Sequence, residues 1–82
     1  MHWTERISFY VYTASHEQHE QGVANKSRRY DSFGEALVDA QELEKQWPNV
    51  SIERHAEFHD GYYNEWCIDW DRDGGRQVVY PI

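Results

Sequence analysis

Three aspartates at alternate positions, Asp69, Asp71 and Asp73, precede Gly74 near the end of the sequence. Alternate carboxylates followed by a turn glycine are typical of the first half of a calcium-binding loop, where their oxygens surround the cation. The second half does not match, because Tyr80 stands where that loop needs a bidentate glutamate. The sequence therefore favours a strand end that enters a glycine turn.

His55, Glu57 and His59 also alternate, so on a β-strand all three would point to one face. Two imidazoles and a carboxylate could hold zinc, with Cys67 or Glu65 on the next strand as a further ligand. Polar residues on the solvent side of a strand have the same spacing. We therefore predict no cofactor, and binding of calcium or zinc stays open as an alternative.

Cys67 is the single cysteine of the sequence, so it cannot form an internal disulfide. As a nucleophile it would need a neighbouring base or cation, and only His55 could be imagined in that role. No basic group stands beside Cys67 in the sequence, and no glycine-rich phosphate-binding loop is present. The sequence predicts a protein that is not an enzyme.

Glu35, Asp39 and Glu42 are spaced by four and three residues, which places them on one face of a helix. Such acidic faces commonly keep a protein soluble. The alternative is that spaced carboxylates imitate a phosphate backbone and occupy a basic channel of a nucleic-acid-binding protein.

The helix that carries these carboxylates is predicted over residues 33–47. Ser32 and Glu35 have the spacing of a capping box, and Pro48 ends the pattern. Its apolar residues recur three and four positions apart and form one stripe. They are Phe33, Ala36, Leu37, Ala40, Leu43 and Trp47.

Residues 7–13 alternate between apolar and polar side chains, which predicts a strand with one buried face. Residues 15–22 show no pattern and are expected to form a loose loop. Residues 23–30 favour a second, weaker strand, so the two strands would form a hairpin. Whether the second strand pairs with the first is left open.

Two more strands are expected after the helix, with Asp60-Gly61 between them. A two-residue turn there would set Ala56 opposite Glu65 and place the two apolar sets on opposite faces. We therefore predict a three-residue loop over 59–61, which pairs Ile52 with Ile68 and turns all large apolar groups towards the helix. Residues 77–80 are expected to add a short last strand.

The predicted order is β-β-α-β-β, an α+β fold in one domain over residues 1–82, with an antiparallel sheet of four or five strands. One helix would cover one face of this sheet. The opposite face would be open and would include Cys67 and His59. We predict a protein-binding surface from this face and the acidic helix, made of Tyr10, Tyr12, Glu35, Asp39, Glu42, Glu53, His55, Glu57, Tyr63, Glu65 and Asp69.

Fifteen acidic and eight basic residues give a formal net charge of −7, which opposes direct binding to nucleic acid or to anionic lipid. The sequence has no long apolar segment and no secretory signal, so we expect a cytoplasmic protein without a membrane partner. Four tryptophans, six tyrosines and three phenylalanines predict an aromatic core and also suit a protein interface.

The first hairpin, the helix entry over residues 30–37 and the tryptophan-bearing second hairpin resemble small β-β-α-β-β proteins encoded by bacteriophages. Some anti-CRISPR proteins and a phage inhibitor of bacterial RNA polymerase are similar in outline, and the resemblance extends over residues 7–80. It carries over no functional residue. It implies a rigid small domain that blocks a host machine by binding it.

The resulting hypothesis is a non-enzymatic inhibitor from a phage or mobile element that acts in the bacterial cytoplasm. Its partner would be a protein or ribonucleoprotein complex with a basic surface, and a CRISPR effector is the first candidate. The alternative is an ordinary cellular domain or subunit that forms a homodimer and covers its open face with a second copy.

Overall fold

A computed structural model describes residues 4–58 and 64–76 of the chain. Over these residues five antiparallel strands form one sheet, in the order β2-β1-β3-β4-β5, and two helices accompany it. The predicted α+β class is confirmed. The elements are β1 (Thr4–Ala14), α1 (His16–Glu20), β2 (Asn25–Lys26), α2 (Phe33–Leu43), β3 (Asn49–Phe58), β4 (Asn64–Asp71) and β5 (Gly75–Arg76).

The two long strands β1 and β3 form the centre of the sheet and pair from Thr4 opposite Phe58 to Ala14 opposite Asn49. Because side chains alternate along a strand, each strand has two faces. The core face carries Val11 opposite Ile52, with 1% and 0% of their surfaces exposed. The outer face is the other side of the same strands.

The hydrophobic core lies on the core face. Ala36 and Ala40 of α2 are fully buried in it, and their small side chains allow the helix backbone close to the strands. The buried cluster consists of Phe9, Val11, Tyr30, Ala36, Ala40, Val50, Ile52 and Trp70, and the partly buried residues packed against it are Phe33, Leu37, Leu43 and Trp47. The last four and the two alanines are the predicted apolar stripe.

Helix α2 begins at Phe33 as predicted, with Ser32 as its N-cap. The Ser32 hydroxyl accepts a hydrogen bond from the Glu35 amide at 3.2 Å, and it also lies 3.1 Å from the Glu35 carboxylate, to which it donates. The glutamate therefore bonds the serine side chain and not the cap backbone, so this is a serine cap without the second half of a capping box.

The predicted helix end at Trp47 is wrong, because α2 ends at Leu43. In the turn that follows, the amides of Lys45 and Gln46 donate to carbonyls three residues earlier. Pro48 disfavours helical geometry at the residue before it. Trp47 packs against the core from this turn, without being helical.

The predicted loose loop over residues 15–22 is also wrong, because residues 16–20 form α1. Ser15 accepts a hydrogen bond from the Gln18 amide at 3.1 Å, and the Gln18 side chain accepts one from the Ser15 amide at 2.9 Å. This is a complete capping box. Its Ser-x-x-Gln spacing was visible in the sequence.

The predicted second strand is much shorter than residues 23–30, but the segment does pair with β1. Lys26 lies opposite Tyr12 in β2, and Tyr30 forms an isolated bridge with Phe9 through two hydrogen bonds of 2.8 and 2.9 Å. Between them, the Ser27 hydroxyl accepts from the Val11 amide at 2.8 Å. The Ser27 side chain thus takes the place of a backbone carbonyl as the acceptor for Val11.

The predicted register between β3 and β4 is wrong. Ala56 lies opposite Glu65, which is the pairing that a two-residue Asp60-Gly61 turn would set, and Ile52 lies opposite Trp70 rather than Ile68. A β-bulge between Ile52 and Glu53 returns Trp70 to the core face, where it is buried. The prediction that all large apolar groups face the helix is nevertheless wrong for Ile68, which lies opposite Glu53. The predicted loop at 59–61 and the predicted strand at 77–80 lie outside the described residues.

Candidate protein-binding face

The bulge leaves Asp69 as the extra residue of β4, because Glu53 pairs with Ile68 and Ile52 pairs with Trp70. The predicted place of Asp69 on the binding surface is wrong, since its side chain is fully buried. Its two carboxylate oxygens accept hydrogen bonds from Arg76 at 3.0 and 3.3 Å. The Arg76 guanidinium lies 3.8 Å from the centre of the Phe33 ring, so this pair links β4 and β5 to α2.

The observed register between β3 and β4 also places other β4 residues differently from the prediction. Cys67 lies opposite Arg54, a core-face position paired with Phe9, and Glu65 lies opposite Ala56 on that side of the register. The predicted position of Cys67 on the outer face is therefore wrong. Ile68 takes an outer-face position instead, with 47% of its surface exposed.

Tyr10 and His55 form the centre of the outer face, where their rings meet edge to face with centroids 4.8 Å apart. The Lys26 ammonium lies over the Tyr10 ring, 4.2 Å from its centre. Glu53 lies opposite Tyr10, and its carboxylate is 3.1 Å from Nε2 of His55. An aromatic pair is thereby held between a cation and a carboxylate.

Tyr12 joins the cluster through Glu53. The pKa of Tyr12 is raised to about 12, first by burial and then by the charge of the neighbouring Glu53 carboxylate and a hydrogen bond to it. The side chains of Glu53 and His55 retain 19% and 24% exposure. Tyr10, Tyr12, Glu53 and His55 are together here as predicted, and we call them the outer-face cluster.

The register also places other residues of β3 and β4. Glu57 lies opposite Arg6 in the register, and Trp66 lies opposite His55. His59 and Tyr63 lie outside the described residues.

The carboxylates of the predicted acidic helix differ in their surroundings. Asp39 accepts a hydrogen bond from the buried Tyr30 hydroxyl, and burial together with this bond raises the pKa of Tyr30. Glu42 pairs with Lys45 at 2.9 Å, and Glu35 bonds the cap serine. Asp39 thus has a structural role, whereas Glu35 and Glu42 are exposed.

A groove of about 810 Å³ adjoins the outer-face cluster and was not anticipated from the sequence. It runs from Tyr12 to the segment after α1 on one side and to the turn after β4 on the other. Val23 and Ile68 line it, with 49% and 47% exposure. Ile68 was not assigned to this groove from sequence, because its outer-face position depends on the register between β3 and β4.

The alternate aspartates that suggested calcium are explained by other contacts. Asp71 accepts hydrogen bonds from the amides of Asp73 and Gly74 at 2.9 and 2.6 Å, which fixes the turn, and Asp69 is occupied by Arg76. Within residues 4–58 and 64–76, no group of three or more His, Cys, Asp or Glu side chains could hold a metal ion.

No helix in the described part of the chain is both long enough and apolar enough to span a bilayer. Comparison with protein-family models, with curated proteins and with solved structures finds no match to this chain.

Proposed function

We propose that the chain is a non-enzymatic protein-binding inhibitor that docks through its outer face. The observation that carries this proposal is the outer-face cluster: Tyr10, Tyr12, Glu53 and His55 are half-buried and contact one another on the side of the sheet away from the core. Tyrosine is among the residues most enriched at binding hot spots.

The mutual contacts within the cluster support this role. His55 is held by both Glu53 and the Tyr10 ring, and Tyr10 is held in turn by Lys26. Side chains that are already ordered lose less conformational entropy when a partner covers them. A preorganised aromatic surface can therefore bind with useful affinity over a small area.

The charge of the chain indicates the chemistry of the partner. A formal net charge of −7 favours encounter with a basic surface and disfavours direct contact with nucleic acid. Proteins that bind nucleic acid present such basic surfaces. The resemblance to phage inhibitors extends the proposal to a bacterial nucleic-acid-handling complex, with a CRISPR effector as first candidate, in the host cytoplasm.

Self-association is a second candidate, and the exposure of Val23 and Ile68 favours it. A second copy of the chain could bury these aliphatic side chains and cover the outer face. Light scattering over a range of protein concentrations separates the two functions, because the inhibitor is expected to stay monomeric and the self-associating domain to double its mass.

The proposal is tested by immobilising the full chain and identifying what it retains from bacterial lysate. We expect a nucleic-acid-handling complex that is also retained by Val38→Ser, a change at an exposed α2 residue, and lost with Tyr10→Ser. Circular dichroism checks that both variants are folded. Retention of the chain alone, or equal retention by both variants, would contradict the proposal.

A further inference from the structure

The groove beside the outer-face cluster has a largely apolar lining between two polar walls. Tyr12, Ala14, Val23, Pro48 and Ile68 contribute to this lining. We propose that it receives one aliphatic or aromatic side chain of the partner, carried on a segment with basic residues on either side. This inference rests on the proposed function, because it names the part of the partner that the inhibitor recognises.

The size and exposure of the groove fit an apolar anchor. Its volume of about 810 Å³ is within the range of ligand pockets and exceeds the needs of one side chain, so flanking residues can enter as well. Val23 and Ile68 each leave about half of their surface in water. Covering both with a partner side chain removes apolar surface from solvent, which favours binding.

The walls of the groove are preformed. The capping box of Ser15 and Gln18 fixes α1, and the Val23 amide donates to the Gln18 carbonyl at 2.9 Å. Gly22 allows the chain to turn there because its φ of 73° lies in the left-handed region that glycine tolerates. Asn25 then bonds the Gln18 side chain and the Thr13 carbonyl. This wall of the groove therefore loses little conformational entropy when a partner binds.

The opposite wall is the turn that follows β4, and its charge indicates what flanks the anchor. Asp71 and Asp73 line the groove together with Arg72, which approaches Asp73 at 3.6 Å. The Asp73 side chain is 87% exposed, so a partner cation can reach it. Two carboxylates against one guanidinium leave this wall acidic, which is complementary to lysine or arginine.

The same charge argues against a second copy of the chain as occupant. A two-fold contact centred on this wall would bring Asp71 and Asp73 towards the same carboxylates of the other subunit. Like charges placed across an interface oppose association. A basic segment of another protein has no such penalty.

The probe for this inference is a displayed library of random nonapeptides, selected on the immobilised full chain and counter-selected on Ile68→Asn. Binding of the enriched peptides is then measured on the wild type, on Ile68→Asn, on Val23→Asn and on the control Val38→Asn. All three substituted side chains are exposed, so the folded state is expected to persist, and circular dichroism verifies it.

We expect the enriched peptides to share an aliphatic or aromatic residue flanked by lysine or arginine. Their affinity should fall about tenfold or more with Ile68→Asn or Val23→Asn and stay unchanged with Val38→Asn. Enrichment of acidic peptides, absence of any groove-dependent peptide, or a dimer disrupted by Ile68→Asn would overturn the inference. If Tyr10→Ser abolishes capture from lysate while the groove variants do not, only the groove assignment fails.

Discussion

Asp69 brings a carboxylate into the core side of the sheet, where none of its surface contacts water. A buried charge is tolerated only when it is paired and hydrogen-bonded. Arg76 supplies both bonds, and its own guanidinium is packed on Phe33 while 59% of the Arg76 side chain stays exposed. The pair therefore fixes the short strand β5 without burying both charges completely.

Replacing this carboxylate with an amide tests its contribution to stability. We expect Asp69→Asn to lower the free energy of unfolding by about 1–3 kcal/mol, because one charge-assisted pair is lost at a buried site. Urea denaturation followed by tryptophan fluorescence measures it. The control Asp73→Asn lies at an 87% exposed side chain and should change stability by less than about 0.5 kcal/mol. Equal effects of the two variants would refute this role.

Tyr12 predicts how stability changes at alkaline pH. Its pKa is raised from 10.0 to about 12 in the folded chain, first by burial and then by Glu53. The folded state then keeps a proton that the unfolded state loses, so this contribution is complete below pH 10.0 and is lost as the pH rises towards about 12. We expect the free energy of unfolding to fall across that interval.

The measurement is denaturant unfolding at several pH values between 9 and 12, about the range set by the unperturbed and raised pKa. In Tyr12→Phe the decline should be shallower, because the titrating group is gone. A decline of the same slope in both proteins would show that other groups cause it.

At the scale of the elements, α1 depends on its cap because five residues are too few to form a stable helix by propensity. Ser15→Ala removes the side-chain acceptor for the Gln18 amide and should cost about 1 kcal/mol. Hydrogen exchange of the α1 amides is expected to accelerate. Ser15→Thr keeps the acceptor and should behave nearly as the wild type does, and equal acceleration in both would contradict the assignment.

The helix stripe and the strand alternation were predictable because they depend on local periodicity. Phe33, Leu37 and Leu43 recur at helical spacing, and Val11 and Ile52 alternate with polar neighbours, so their burial followed directly. The capping box of α1 was equally local, and only the polar composition of residues 15–22 concealed it. The loop predicted over residues 15–22 could therefore have been replaced by a helix from the sequence alone.

The bulge could not have been predicted in this way. The position of an extra residue in one strand depends on the register with its partner, and alternation alone assigns Asp69 and Cys67 to the wrong face. The conflict between this register and the apolar pattern is real: the bulge at Asp69 returns Trp70 to the core, whereas Ile68 stays on the outer face. Of the candidate site, Tyr10, Tyr12, Glu53 and His55 were predictable because they lie on β1 and β3, whose pairing is regular from Arg6 to Ala14.

At the scale of the whole molecule, charge and shape act together. The sheet separates a core face built around Ile52 from an outer face that carries Tyr10, and the chain as a whole has an excess of acidic residues. Under the proposed function, the net charge of −7 would accelerate encounter with a basic partner, and the outer-face contacts would set how long the complex lasts.

The role of net charge in the encounter predicts a strong dependence of binding on salt. The affinity for the retained complex should fall markedly as ionic strength rises from about 0.01 M to about 1 M, because the screening length shrinks from roughly 30 Å to roughly 3 Å. Biolayer interferometry at several salt concentrations measures it, and the loss should lie mainly in the association rate. Binding that is independent of salt would count against attraction by charge.

The most direct test of docking through the outer face is site-specific photocrosslinking in bacterial lysate. A photoreactive phenylalanine derivative replaces either Ile68 on the outer face or Val38 on α2, both of which are exposed in the free chain. We predict that the probe at position 68 crosslinks to a nucleic-acid-handling protein and that the probe at position 38 does not. Crosslinks from position 38 alone, or from position 68 only to a second copy of the chain, would contradict the account.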